Sequence, residues 1–247
     1  MSNIQNNAVV TIKDLTVKYD KSVILNNINL CINKGEIIGL LGPSGAGKTT
    51  LIKSIIGMNS ILKGKIRVFN ELIPKLNITS SIGYMAQSDA LYEELSGIDN
   101  ILFFASILGM KGNLLKKRVK DVLTLVDLNK DAYKLVKNYS GGMKRRLSLA
   151  IALVHNPKLL ILDEPTVGID PLLRNKFWDE FKKTKAEGGT IILTTHAIDE
   201  AYKCDKLALI RKGKILVQGS IENILHSSKT NDIEAAFLFY SNKDEEI

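Results

Sequence analysis

Eight residues constrain this chain more than any others: Gly42-Pro43-Ser44-Gly45-Ala46-Gly47-Lys48-Thr49, followed by Thr50. They match the spacing G-x-x-x-x-G-K-[ST], and they stand where that pattern acquires a physical meaning. An apolar run at 36–41 precedes them as a strand, and a helical pattern at 48–56 follows, closed by Gly57. Glycines, lacking a Cβ, let backbone N–H groups turn inward around phosphate oxygens. The helix N-terminus adds partial positive charge, Lys48 reaches the outer phosphates, and Thr49 offers a hydroxyl to Mg2+.

The rest of the chain extends this seed. Strand patterns occupy 9–12, 15–17, 24–32, 65–69, 81–84, 159–162 and 190–195, and 204–219 reads as a hairpin turning at Lys212-Gly213. Helical spacing takes over in the middle, at Ile98, Ile101, Leu102, Ala105 and Leu108 and again at Leu115, Val119, Val122, Leu123 and Val126. Leu173, Phe177 and Phe181 mark a further helix face. Strands alternating with helices imply an α/β fold with a mainly parallel sheet covered on both faces, preceded by N-terminal antiparallel strands. The expected organisation is one domain over 1–247. Its α/β core comprises 1–89 and 157–226, 90–156 forms an inserted α-helical subdomain, and 227–247 is a short C-terminal helix or tail.

Hydrophobic residues at 45% and charged residues at 24% are ordinary for a globular protein and exclude a disordered one. Lys and Arg number 34 against 26 Asp and Glu, a net charge of +8. Between Lys111 and Arg146 eleven basic residues face only Asp121, Asp127 and Asp131, so that one block carries the whole excess. A uniformly basic protein is thereby excluded. No apolar run reaches the roughly 18 residues of a membrane span; the longest candidate, 98–110, is interrupted by Asp99 and Asn100. The opening MSNIQNN has no leader pattern, and Cys31 and Cys204 form no C-x-x-C pair, so reduced thiols in a cytosolic chain are expected.

Five further features carry chemistry. Leu159-Leu160-Ile161-Leu162-Asp163-Glu164-Pro165 is an apolar strand ending in two carboxylates. Beside a phosphate loop, Asp163 suits Mg2+ and Glu164 suits a water molecule; an acidic cap before Pro165 is the alternative. Ser140-Gly141-Gly142 opens a helical run and is either an ordinary Ser cap or a second helix N-terminus for an anion. His196 ends a strand, where it is either a packed residue or within reach of a terminal phosphate. Gln87 and Tyr19 also lie at strand ends, and in isolation each is a polar loop residue or an edge aromatic.

Taken in order, Tyr19, GPSGAGKT at 42–49, Gln87, SGGMKRR at 140–146, LLILDEP at 159–165, Gly168-Ile169-Asp170 and His196 resemble the ATPase subunit of an ATP-binding cassette (ABC) transporter. The likeness covers about residues 8 to 225. It implies a P-loop NTPase (RecA-like) core and an active ATPase using ATP and Mg2+. By position, residues 42–50 hold the phosphates, Thr49, Gln87 and Asp163 serve the metal, and Glu164 activates water. Lys48, Gln87 and His196 complete the catalytic set, and Tyr19 stacks on adenine. Ser140, Gly141 and Gly142 bind the γ-phosphate of ATP held by an opposite subunit, and Asp170 supports the dimer contact. The implied assembly is a head-to-tail dimer, a homodimer on this reading, that sandwiches two ATP molecules.

One departure is Met143, where the family usually has Gln. With the Tyr92 and Phe103-Phe104 region, it is similar to ATPases paired with ABC-2 type export permeases. The resemblance therefore implies a separate transmembrane permease, a place at the cytoplasmic face of the membrane, and export of a drug, lipid or polysaccharide. No specific nucleic acid is expected. A soluble ABC-type ATPase of iron–sulfur assembly or DNA maintenance is the alternative, and a P-loop kinase is disfavoured by SGG, Glu164 and His196. The basic block is then either a solvated helix face or a surface toward anionic lipid, or its Lys144, Arg145 and Arg146 serve the subunit contact.

Overall fold

The computed structural model describes residues 7–88 and 90–245; residues 1–6, where a leader would begin, and the last two of the acidic tail lie outside them. Through the middle of the chain the elements are β1 (Ala8–Tyr19), β2 (Ser22–Asn33), β3 (Ile37–Leu41), α1 (Lys48–Ile55), β4 (Lys63–Val68), β5 (Glu71–Leu72), β6 (Ile82–Met85), α2 (Gly97–Ile107), α3 (Gly112–Leu125) and α4 (Gly141–Leu153). They continue as β7 (Leu159–Asp163), α5 (Pro171–Ala186), β8 (Thr190–Thr195), α6 (Ile198–Ala201), β9 (Lys206–Arg211), β10 (Lys214–Gly219), α7 (Ile221–Ser228) and α8 (Ile233–Glu245). These divide into two compact units, residues 1–78 with 190–247, and residues 79–189.

In the first unit, β2, β1, β4 and β5 form an antiparallel sheet in that order. The two runs expected at 9–12 and 15–17 are one strand, β1. Its register against β2 shifts between Ile12 and Leu15, around Asp14 at φ 51°. This bulge moves the inward phase by one residue, so that Val10, Ile12, Leu15 and Val17 are all buried. Asn29 closes the irregularity, accepting from Asp14 N at 3.0 Å and donating to Asp14 Oδ1 at 3.3 Å. In the other sheet of this unit, β3 runs parallel to β8 on one side and β9 on the other. Every residue of β3 and β8 is buried, as a strand covered on both faces requires. The β9–β10 hairpin turns at Lys212 and Gly213, both at positive φ, as expected of its two-residue loop. The region 227–247, expected as a short C-terminal helix or tail, holds the last two residues of α7 and all of α8, with Ile233 and Ala236 buried.

The second unit holds β6 parallel to β7, with Ile82 opposite Leu159 and Met85 opposite Leu162. Helices α2, α3 and α4 pack on one another around Ile101, Ala105, Val119, Val122, Leu147 and Ala150. The expected insert therefore shares its unit with β6, β7 and α5, which the alternating pattern assigns to the α/β core. Helix α5 buries Phe177, Trp178 and Phe181, the last two in an edge contact at 5.6 Å. Among the described residues no helix is long and apolar enough to cross a membrane.

Candidate functional site

Strand pairing sets the first part of the site. Leu41 lies opposite Thr195, so the 42–49 loop and His196 leave neighbouring parallel strands at the same end. Gly47, at φ 105°, takes the left-handed conformation that starts α1, with no side-chain cap and no acidic residue in the first turn. No side-chain cap or carboxylate of its own occupies that N-terminus, the kind of helix end that suits an anion. Lys48 is buried, and its Nζ donates to the carbonyls of Gly42 at 2.6 Å and Pro43 at 3.0 Å, which holds the cation over the loop.

Two supports of this loop were not visible as motifs. The hairpin turn braces it: Gly213 N donates to Ala46 O at 3.0 Å, and Gly213 O accepts from Asn26 N at 2.8 Å. Tyr19 is tied in through Asn59, which accepts from its hydroxyl at 2.7 Å and donates to Thr50 O at 2.9 Å. Tyr19 is 45% exposed, leaving it accessible from solvent. Exposed His196 follows a turn in which Thr195 Oγ1 donates to Glu200 at 2.8 Å and accepts from Ala197 N at 3.0 Å. A cleft of about 240 Å³ brings Gly42, Pro43 and His196 together with Ile233 and Phe237 of α8.

The same logic orders the second unit. Because Met85 faces Leu162, Gln87 and the pair Asp163-Glu164 emerge from one end of the β6–β7 pair. Asp163 is 1% exposed, whereas Gln87 is exposed. Glu164 is half-buried and sits at φ 52°, a conformation that costs an L-residue energy and persists only where surroundings enforce it. The buried Tyr84 hydroxyl has its pKa pushed up to about 12, first by burial and then by the nearby Asp163 charge.

Ser140 caps α4, its Oγ accepting from Met143 N at 3.2 Å, so the ordinary capping role is real. Gly141 is exposed, and a Cβ there would meet nothing. That cap uses the Met143 N–H and not those of Gly141 and Gly142, so capping does not preclude an anion at this helix end. Asp170 caps α5 through Leu173 N at 3.0 Å, ahead of Pro171.

The basic residues after SGG are engaged within their own chain. Arg146 donates to Val126 O at 3.1 Å and Asp127 O at 2.9 Å, and Lys144 pairs with Glu93. Arg145, which composition alone files with the surface charge, is buried and donates to backbone carbonyls of Ala86, Gln87, Asp163 and Glu164. Its position five residues after Ser140 carries no local signal of this role.

Among the described residues no cluster of three or more His, Cys, Asp or Glu could hold a metal. Mg2+ fits the residues present in another way. It takes oxygen ligands and keeps most of them as water and phosphate, so it asks for few protein donors; the Thr49 hydroxyl of the first unit and the buried Asp163 carboxylate of the second are each of the kind it takes.

A family model described as ABC transporter matches residues 25–167. The chain belongs to the ABC transporter family, as an ATPase cassette. It is 34% identical over 92% of its length to a Nod factor export ATP-binding protein I of Cupriavidus pinatubonensis, 70% of which is covered. It is 39% identical to the linearmycin resistance ATP-binding protein LnrL of Bacillus subtilis, over 82% of this chain and 66% of that one. The cassette also matches an ABC transporter G family member of Dictyostelium discoideum at 39% identity over 98% of this chain, but spans only 35% of that longer protein. Among solved structures, an ATP-binding subunit of an ABC transporter superposes with a TM-score of 0.89 at 26% identity, covering 94% of this chain and 99% of that one. A dimeric cassette in a post-hydrolysis state bound to ADP and Pi superposes with a TM-score of 0.77 at 27% identity, covering 85% and 98%.

Proposed function

We propose that this cassette powers a separate membrane permease of the ABC-2 type, at the cytoplasmic face of the membrane, for export of a drug, lipid or polysaccharide. The observation that carries the reading is an exposed aromatic cluster on the helical part of the second unit. Tyr92 meets Phe103 at 4.8 Å and Phe104 at 5.9 Å, and Ile107, 65% exposed, continues the face one turn along α2. A fully buried Asn100 builds it, accepting from Tyr92 N at 2.9 Å and donating to Tyr92 O at 3.0 Å and Ser96 O at 2.9 Å. An aromatic patch held this firmly at the surface suits a protein partner. Relatives named for export and for linearmycin resistance support the direction.

The proposed chemistry uses two copies of the chain. Residues 42–50 grip the phosphates, Tyr19 stacks on adenine, and Ser140, Gly141 and Gly142 of the opposite copy close on the γ-phosphate, with Asp170 at the dimer contact. Mg2+, when bound through Thr49, Asp163 and Gln87, neutralises phosphate charge. Glu164 accepts a proton from the attacking water, while Lys48 and His196 stabilise charge on the transferred group. The protein contributes position and charge rather than covalent chemistry. Co-purification from detergent-solubilised membranes tests the reading: recovery of a multi-span protein, lost in Tyr92→Ala/Phe103→Ala, is expected. A soluble partner or DNA recovered instead overturns it.

A further inference from the structure

We infer that Arg145 is a positioning residue for hydrolysis, a latch that ties the helix opened by Ser140-Gly141-Gly142 to the Gln87 loop and to Glu164. This rests on the roles proposed above for Gln87 and Glu164. Arg145 is 8% exposed and spends its terminal nitrogens on four main-chain oxygens. Nη1 donates to Ala86 O at 2.9 Å and Gln87 O at 2.8 Å; Nη2 donates to Asp163 O and, at 2.6 Å, to Glu164 O.

Three features make this more than packing. The acceptors are carbonyls of two separate chain segments, each at the end of a β-strand and each bearing a residue of the proposed reaction. One of those residues, Glu164, holds a left-handed backbone that relaxes unless something fixes its peptide planes, and the Nη2 fork fixes the carbonyls of both Asp163 and Glu164. The donor, finally, lies in the second turn of α4, whose exposed N-terminus presents Gly141 and Gly142. A shift of α4 on engaging a phosphate is passed by the rigid fork directly to the Glu164 backbone. A lysine, with a compact ammonium on a flexible stem, cannot span both carbonyl pairs.

The test uses the full chain, comparing Arg145→Ala, Arg145→Lys and Glu164→Gln for steady-state ATPase and fluorescent-ATP binding. For Arg145→Ala, kcat is expected to fall about 100-fold, the scale of a misplaced reacting group, while nucleotide affinity stays within about twofold. Millimolar guanidinium, filling the space the side chain leaves, should restore kcat several-fold, and Arg145→Lys should fall between. An unchanged kcat overturns the inference, as does a kcat loss matched by lost affinity and insensitive to guanidinium. If Arg145→Ala does not fold, Arg145→Lys decides by its kcat at unchanged affinity: a wild-type kcat overturns the latch. Full activity in Glu164→Gln would instead refute the role of that carboxylate, whatever Arg145 does.

Discussion

Two helices of this chain begin in glycine-rich turns, and their N-termini are finished differently. Helix α1 starts at Gly47 with no side-chain cap, its lysine folded back onto the loop carbonyls, and its loop braced by the 212–213 turn. Helix α4 starts at Ser140, whose hydroxyl already takes the Met143 N–H. The first end spends no side-chain cap on itself and adds a buried cation. The second keeps part of its hydrogen-bonding capacity at home and presents Gly141 to solvent, with Gly142 half-buried behind it. A terminus that satisfies itself in part binds an anion more weakly and is stable without it. That property suits the proposed role of α4 as a contact made and broken in every cycle, and the finish of α1 suits a holding site.

The sharpest way to break this contrast is to remove the cation. Lys48→Ala should weaken nucleotide binding and lower ATPase activity by about 100-fold or more, since a preorganised charge in a phosphate site carries effects of that size. A fluorescent-ATP titration showing wild-type affinity would end the description of α1 as the holding site. At the other terminus, Ser140→Asp preserves the cap while placing negative charge where the γ-phosphate is proposed to arrive. It should leave the melting temperature close to wild type and reduce ATPase activity about tenfold or more, an electrostatic effect beyond capping. Ser140→Ala should instead cost about 1 kcal/mol of stability through the lost cap, read by urea unfolding.

Smaller effects probe what supports each helix. Gly213→Ala adds a Cβ at φ 74° toward the Ile24 carbonyl, displacing the brace of the phosphate loop. A loss of about 1 kcal/mol or more, with reduced ATP affinity, is expected from the positive φ alone. The far end of α4 is tied by Arg118, which donates to Leu153 O at 2.8 Å and Val154 O at 3.1 Å, and by His155, whose ring meets Ile82 O at 3.1 Å. Burial holds His155 below its ordinary value of 6.5, aided by the Arg118 charge and opposed by the Ile82 carbonyl. A lowered folded-state pKa means the neutral ring is favoured in the folded protein. Its contribution is full above pH 6.5 and is lost as pH falls through the folded-state value. The melting temperature should therefore drop between pH 7 and pH 5, and His155→Gln should flatten that share of the decline.

Much of the site was legible because its chemistry is local. The phosphate loop is eight consecutive residues, and the carboxylate pair closes an apolar strand, so pattern and context identify both. The hairpin turn and the Ser140 cap were equally readable from two or three neighbours. Arg145 was not. In sequence it is one of eleven basic residues in a charged block, and Lys144 and Arg146 on either side have unlike tasks. The block itself is heterogeneous. Lys116, Lys117 and Lys120 line the exposed side of α3, while Arg118 and Arg146 satisfy helix-end carbonyls. Asn59, the polar anchor at Asn100 and the brace Gly213 gives the phosphate loop were not readable for the same reason, each acting on a partner brought close by folding.

The amino-acid order alone determined which groups can grip phosphate, bind a metal through oxygen and polarise water, because those properties belong to side chains and to short backbone turns. Which cation is buried, which carbonyls it must satisfy, and which aromatic side chains stay exposed were settled by packing. Burial and hydrogen-bond partnership depend on residues tens of positions apart, and charge or hydropathy along the chain does not encode them.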